Sequence, residues 1–140
     1  MKAWITFAIL AMVFAGMTSV IAKIGLAGIS GELGLAIRTC FVFVFVMGFA
    51  CVTVPASQLA QLGGNNYLWL GISGLTTTLS WIFYYKALKD GQVSTIALID
   101  KGSIVVAILL AVAILKEPLT PKTILGGCLM IAGIVVIARK

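Results

Sequence analysis

The residues able to do chemistry are few, and two of them stand together. In "ALIDKGSIVVAILLAVAILKEPL", Asp100 and Lys101 interrupt a run from Val93 to Leu115. Its other members are Ile, Leu, Val and Ala, with Ser94, Thr95, Gly102 and Ser103 as the small exceptions. A charge placed there must be satisfied, expelled or used. A lone charge at the centre of a hydrocarbon layer costs about 2.5–3.5 kcal/mol even on lenient scales, so such residues are functional candidates by default. Asp100 beside a cation can exchange a proton with a ligand, and surplus positive charge in a cavity favours anionic or zwitterionic ligands. The plainer role is to lock one helix to another. The sequence leaves both readings open.

Arg38 is the other deep charge. Counted from the same side, it lies ~6 Å into its helix and Asp100 ~10 Å into its own. An Arg38–Asp100 ion pair is therefore the economical arrangement. It leaves Lys101 without an internal acid, since Glu32 and Glu117 lie near interfaces. Lys101 then either snorkels outward or holds its charge in a water-filled cavity. Glu117, in "LKEPLTP", is an interfacial residue near Lys116 and Lys122 or a gate at the far mouth of that cavity.

In "TTTLSWIFYYKAL", the residues Thr77, Trp81, Tyr84, Tyr85 and Leu88 fall on one helical face. Tyr84 and Tyr85 sit where interface anchors are expected. Trp81 lies deeper, near Thr77 and Ser80, and is the better candidate for a cavity wall that stacks on flat or cationic ligands. Thr77 and Tyr85 are carried with it as candidate ligand contacts. In "TILGGCLMIAGIVV", Gly126 and Gly133 are two turns apart and share a face. That face lets another helix approach closely, inside one subunit or between two.

Much chemistry is excluded. The 140 residues contain no His. They contain no paired-Cys spacing, no HExxH, no GxSxG and no P-loop, so an enzyme, a metal and a cofactor have no foothold. Cys40 and Cys51 would lie about 16 Å apart on one helix, too far to bridge. With Cys128 they read as small buried thiols.

The elements that must position these groups follow from composition. Hydrophobic residues make up 61% of the chain and charged ones 10%, against roughly half and about 25% in soluble domains. That is an integral membrane protein, all α-helical, in one domain spanning residues 1–140. Five apolar segments fall at about 4–22, 34–54, 67–85, 93–115 and 121–138, each near the ~20 residues that cross a bilayer. Spanning segments must satisfy their own backbone bonds, so all five are expected as transmembrane helices. The first has a rival reading as a secretory signal, but four more spans follow it rather than a secreted domain.

The connections, Lys23 to Leu33, Pro55 to Asn66, Lys86 to Gln92 and Lys116 to Thr120, are too short to hold a soluble domain. The formal charge of +6 comes mostly from residues at the ends of apolar runs, the mark of topology signals rather than of nucleic-acid binding. Lys2, Lys116 and Lys122 fall on one side. Lys23, Lys86, Lys89, Arg139 and Lys140 fall on the other, with Arg38 just inside it. The positive-inside rule makes the second side cytoplasmic, with the N-terminus outside and the C-terminus inside.

The order "AKIGL", "AIRT", "GLTTTLSWIFYYKALKDG", "LIDKGSIVVAILLAVAILKEPLT" and "GGCLMIAGIVV" resembles the EamA domain of the drug/metabolite transporter superfamily. The likeness covers the whole chain and is closest to the small single-domain bacterial/archaeal branch. It implies a multi-pass protein of the bacterial or archaeal inner membrane that exports or exchanges small metabolites. Most such proteins carry two five-helix units in tandem, and the odd number inverts the second to give an inverted repeat about a central site. This chain has one such unit, so the resemblance implies a homodimer. By analogy with small multidrug resistance transporters the dimer is antiparallel, and Gly126 and Gly133 resemble the glycine pair that packs it.

Those relatives carry an essential acid in their first helix, and here that helix has none, so Asp100 would have to take any such role. The resulting expectation is a secondary transporter working by alternating access, with a cavity lined by the first four helices. Arg38 and Lys101 would supply charge, Asp100 proton or ion-pair switching, and Trp81 the wall. The alternatives are a non-transporting accessory subunit and a flippase for a lipid-linked headgroup. The lipid bilayer and a small-molecule substrate are the expected partners. A tag at the C-terminus, probed from both faces of the membrane, is expected to be accessible mainly from the cytoplasm. Equal labelling from both faces would overturn the charge-bias argument.

Overall fold

The computed structural model describes residues 3–138. Among them the chain is helical, without a strand. The elements are α1 (Ala3–Gly25), α2 (Gly31–Thr53), the single turn α3 (Ala56–Leu59), α4 (Gly64–Asp90), α5 (Val93–Asp100), α6 (Ser103–Leu115) and α7 (Pro121–Ala138). Three stretches are long and apolar enough to cross a membrane: α1, α2, and Val93–Leu115, which holds α5 and α6. At 23 residues each, α1 and α2 reach about 35 Å, more than the ~30 Å of hydrocarbon. The apolar part of α7, Pro121–Ile137, is shorter. At 27 residues, α4 is the longest helix, but Thr76, Thr77, Thr78, Ser80 and its aromatic residues leave it less apolar than those three.

The expected five segments are therefore only partly matched. The third is longer than expected at both ends, and the fourth is two helices rather than one. Lys2, Arg139 and Lys140 lie outside the described residues.

The chain divides into two compact units, Ala22–Asp90 and Met1–Ile21 with Gly91–Lys140. In the first, α2 runs antiparallel to α4. Ser30 starts α2, its Oγ accepting from the Leu33 N–H at 3.2 Å, and Glu32 in the first turn suits the positive end of the helix dipole. Gly31 is where the two helices touch. A Cβ there would stand 2.8 Å from the Tyr85 carbonyl oxygen and 3.1 Å from its carbon, so only glycine fits. Leu26, from the turn before α2, lies across Gly34, and with Tyr85 and Leu88 it forms the buried core.

Lysines tie the same end together. Lys23 Nζ donates to the carbonyls of Leu88 at 2.6 Å and Lys89 at 2.9 Å, capping the C-terminus of α4. Lys89 Nζ returns the contact to the Leu26 carbonyl at 3.2 Å. A lysine at a helix C-terminus satisfies orphan carbonyls and meets the negative end of the dipole. This capping explains why α4 continues to Asp90 beyond the expected end near Tyr85.

In the second unit, α7 lies along both α5 and α6. The α5–α6 break falls at Lys101 and Gly102. There the backbone tightens to three-residue spacing: Gly102 N–H donates to Ile99, Ile104 to Lys101 and Val105 to Gly102. A Cβ on Gly102 would lie 2.9 Å from the Ile99 carbonyl oxygen and 3.3 Å from Ile134 Cδ1 of α7. The tight turn and the neighbouring helix both require glycine. At the far end of α6, Lys116 takes the left-handed conformation (φ 57°), and the N–H groups of Lys116 and Glu117 both reach back to the Ala111 carbonyl, which would otherwise be left without a donor at the helix end.

Large apolar side chains such as Phe41, Phe43, Phe45 and Phe49 of α2 are exposed, a surface suited to lipid rather than water. The expectation of buried thiols is overturned, because Cys40, Cys51 and Cys128 are all exposed. Among the described residues the buried hydrophobic side chains are Leu26, Tyr85 and Leu88, so small thiols along helix flanks have little to lie beneath.

Two glycine substitutions separate contact from propensity. Gly31→Ala should lower stability by about 1–3 kcal/mol through overpacking. Gly16→Ala, where nothing lies within 4 Å, should raise it by about 0.5–1 kcal/mol. Thermal unfolding of the solubilised chain reads both, and a Gly31→Ala variant as stable as wild type would contradict the packing described.

Candidate functional site

Gly31 also sets the register of the site. Two turns beyond it on α2, Arg38 returns to the side facing α4. One turn before Tyr85 on α4, Trp81 comes level with it. The Arg38 guanidinium carbon lies 4.3 Å from the centroid of the Trp81 ring and 5.9 Å from that of Tyr85, within the ~6 Å range of cation–π attraction. Tyr85 is only 4% exposed, and its ring meets Tyr84 edge-on with centroids 6.3 Å apart. The anchor reading of Tyr85 is thereby corrected: the close approach at Gly31 encloses this residue, and the ring walls the Arg38 site.

The arginine is half-buried, and its Nη1 is buried without a hydrogen-bond partner among the described residues. A buried donor left unmatched is unusual and calls for an acceptor. A planar fork of N–H groups against an aromatic wall suits a carboxylate or a phosphate, which it can bind through two parallel bonds.

Thr77 is one turn from Trp81, exposed, with Oγ1 donating to the Ser73 carbonyl at 2.8 Å. Its hydrogen is committed to its own helix, which leaves it an acceptor only. Thr76 and Thr78 bond back in the same way. At the mouth of this helix pair, Lys86 Nζ stands 3.4 Å from Glu32 Oε1, both largely exposed.

In the other unit, Lys101 Nζ lies 3.5 Å from Asp100 Oδ2. The expectation that Lys101 has no internal acid is corrected: the tight turn at Gly102 brings its ammonium back to the carboxylate next in sequence. Arg38 and Asp100 belong to different units, and their pairing rests on the depth argument alone. Glu117 is exposed just past α6. Cβ atoms at Gly126 and Gly133 would meet nothing within 4 Å, so both positions are open to a second helix.

Sequence reasoning selected Arg38, Trp81 and Tyr85 separately and did not join them. It passed over Gly31, Gly102, Lys23 and Lys89 as structural residues. Ser30–Gly31 ahead of an apolar helix was the available signal for the first, and Gly102 after a charged pair for the second. Nothing local marks a lysine that bonds to carbonyls more than sixty positions away.

Residues 2–139 match the model of the EamA-like transporter family. A protein of Sinorhizobium sp. named "Uncharacterized transporter in cobO 3'region" is 33% identical over 137 residues, covering 98% of this chain and 97% of that one. No solved structure matches.

The Asp100–Lys101 pair yields a test. In water such a pair contributes about 0–1 kcal/mol, whereas in a low-dielectric interior removing one partner strands the other charge at a cost of about 3–5 kcal/mol. In lipid nanodiscs, Asp100→Asn and Lys101→Gln should each lower the melting temperature more than the double variant does. Additive losses would mean that water surrounds both charges.

Proposed function

The chain belongs to the EamA-like transporter family, and on that premise we propose that it is a secondary transporter for a small anionic or zwitterionic metabolite. The observation that carries the substrate charge is Arg38: a buried Nη1 without an acceptor among the described residues, on a guanidinium backed by Trp81 and Tyr85. A carboxylate or phosphate would complete that donor. The aromatic rings would hold the guanidinium in place while the anion comes and goes.

In this reading α1, α2, α4, α5 with α6, and α7 are the five membrane crossings. At 18 residues, α7 spans about 27 Å, close to the hydrocarbon thickness. The α5–α6 break would be one of the discontinuous helices that transporters place near their sites, where a turn of irregular backbone lines a cavity. Asp100 beside it would exchange a proton or change partner during the cycle, Lys101 would add positive charge, and Glu117 would gate the opposite mouth.

One unit of this size is few helices for alternating access, so two copies would share the task, packed through the open face of α7 at Gly126 and Gly133. The antiparallel arrangement needs both orientations in the membrane. The charge bias favours one, with the C-terminus cytoplasmic in a bacterial or archaeal inner membrane.

The test is flux into proteoliposomes driven by a substrate gradient, with small carboxylates and phosphates set against organic cations. Wild type should accumulate an anion or zwitterion. Arg38→Gln should slow it about ten- to a hundredfold, since a hydrogen bond to a charged group contributes about 1.5–3 kcal/mol. Unchanged flux in a folded Arg38→Gln variant would remove Arg38 from the site. Absence of flux for every compound would favour the accessory-subunit reading.

A further inference from the structure

An aromatic wall beside a half-buried cation can be read in two directions. Trp81 and Tyr85 present ring faces that attract any cation, and the one they hold is the chain's own Arg38, at 4.3 and 5.9 Å from the two centroids. We infer that Arg38 is a tethered occupant of an aromatic cation site, and that it sets the charge selectivity of the transporter by excluding organic cations from the faces it covers. The inference rests on the proposed substrate site and assigns Arg38 a second task there, as the residue that decides which sign of charge enters.

The physical argument is competition. A guanidinium stacked on Trp81 uses the most attractive surface of the ring, since indole is the best of the three aromatic faces for a cation. Tyr85 is held by its burial and by the close approach of its backbone to Gly31, so that wall of the site does not depend on the arginine covering it. A free cation must displace a neighbour already held by its own backbone, and it then meets a like charge at close range. An anion meets no like charge there and is drawn to the guanidinium, whose buried Nη1 lacks an acceptor among the described residues. Removing the guanidinium would leave a partly desolvated pair of rings with no cation, the arrangement by which proteins bind guanidinium and quaternary ammonium groups. The exclusion is local to α2 and α4 and needs no other part of the chain.

Benzoate and benzamidinium make a matched pair of probes, alike in shape and opposite in charge. Binding is read from Trp81 fluorescence in the full-length chain carrying Trp4→Phe and Trp69→Phe, whose native side chains are 65% and 63% exposed. With Arg38 present, benzamidinium should leave the signal unchanged. Arg38→Gln, or Arg38→Ala, should bind benzamidinium at least about tenfold more tightly, and adding Trp81→Leu should abolish the gain when binding is followed by thermal stabilisation instead.

Two results would overturn the inference. One is an Arg38 chain that already binds benzamidinium as well as the variants do, a measurement that needs no variant to fold. The other is a folded Arg38→Gln variant with no gain. The anion arm answers a separate question: failure of benzoate to bind the Arg38 chain, alongside a gain of benzamidinium in the variant, would sink the proposed substrate charge and leave the cation exclusion standing.

Discussion

The close approach of two helix backbones at Gly31 is the constraint on which the candidate site depends. The Tyr85 carbonyl oxygen stands 2.8 Å from where a Cβ would be, and this contact fixes both the separation and the register of α2 against α4. Arg38 then brings its guanidinium over Trp81. Burial of Tyr85 and Leu88 follows from the same approach, as does the ion pair of Glu32 with Lys86. The apolar area enclosed is small, so shape rather than bulk burial holds this pair of helices in register.

Backbone satisfaction accounts for much of the rest. Carbonyls at a helix end need donors, and the end of α4 obtains them from Lys23 across the α1–α2 turn. Lys89 repays the turn at Leu26. Positive residues that the positive-inside rule treats as topology signals thus also hold a helix end to a loop. At Lys101 and Gly102 the same accounting gives a different outcome: the amides of Gly102, Ile104 and Val105 switch to three-residue bonds and the helical run resumes.

The chemistry that emerges is electrostatic. A transporter must bind its cargo in passing and release it, which suits a charge-assisted site whose donor is held by weak, directional contacts better than a site closed by permanent ion pairs. In the proposed function an arginine leaning on rings would meet that requirement. Cation–π attraction of about 0.5–2 kcal/mol would place the guanidinium and leave its donors for an anion.

By itself the sequence determined the solvent and the secondary structure. With 61% hydrophobic and 10% charged residues there is too little polar surface for water, and a chain in hydrocarbon must bond its own backbone, which leaves helices. Arg38, Trp81, Asp100 and Lys101 were legible as singular because each is out of place in an apolar run or at helical spacing within one. Their partners were not legible. Depth alone matched Arg38 with an acid, and local spacing left Lys101 alone. A partner depends on how each helix is rotated about its axis and where its backbone can approach another, and the hydrophobic period carries little of that when a helix is apolar nearly all round. Only the tertiary structure, through a glycine with no room for a side chain and a turn tightened at Gly102, decided that the arginine rests on a tryptophan and the lysine on its neighbouring aspartate.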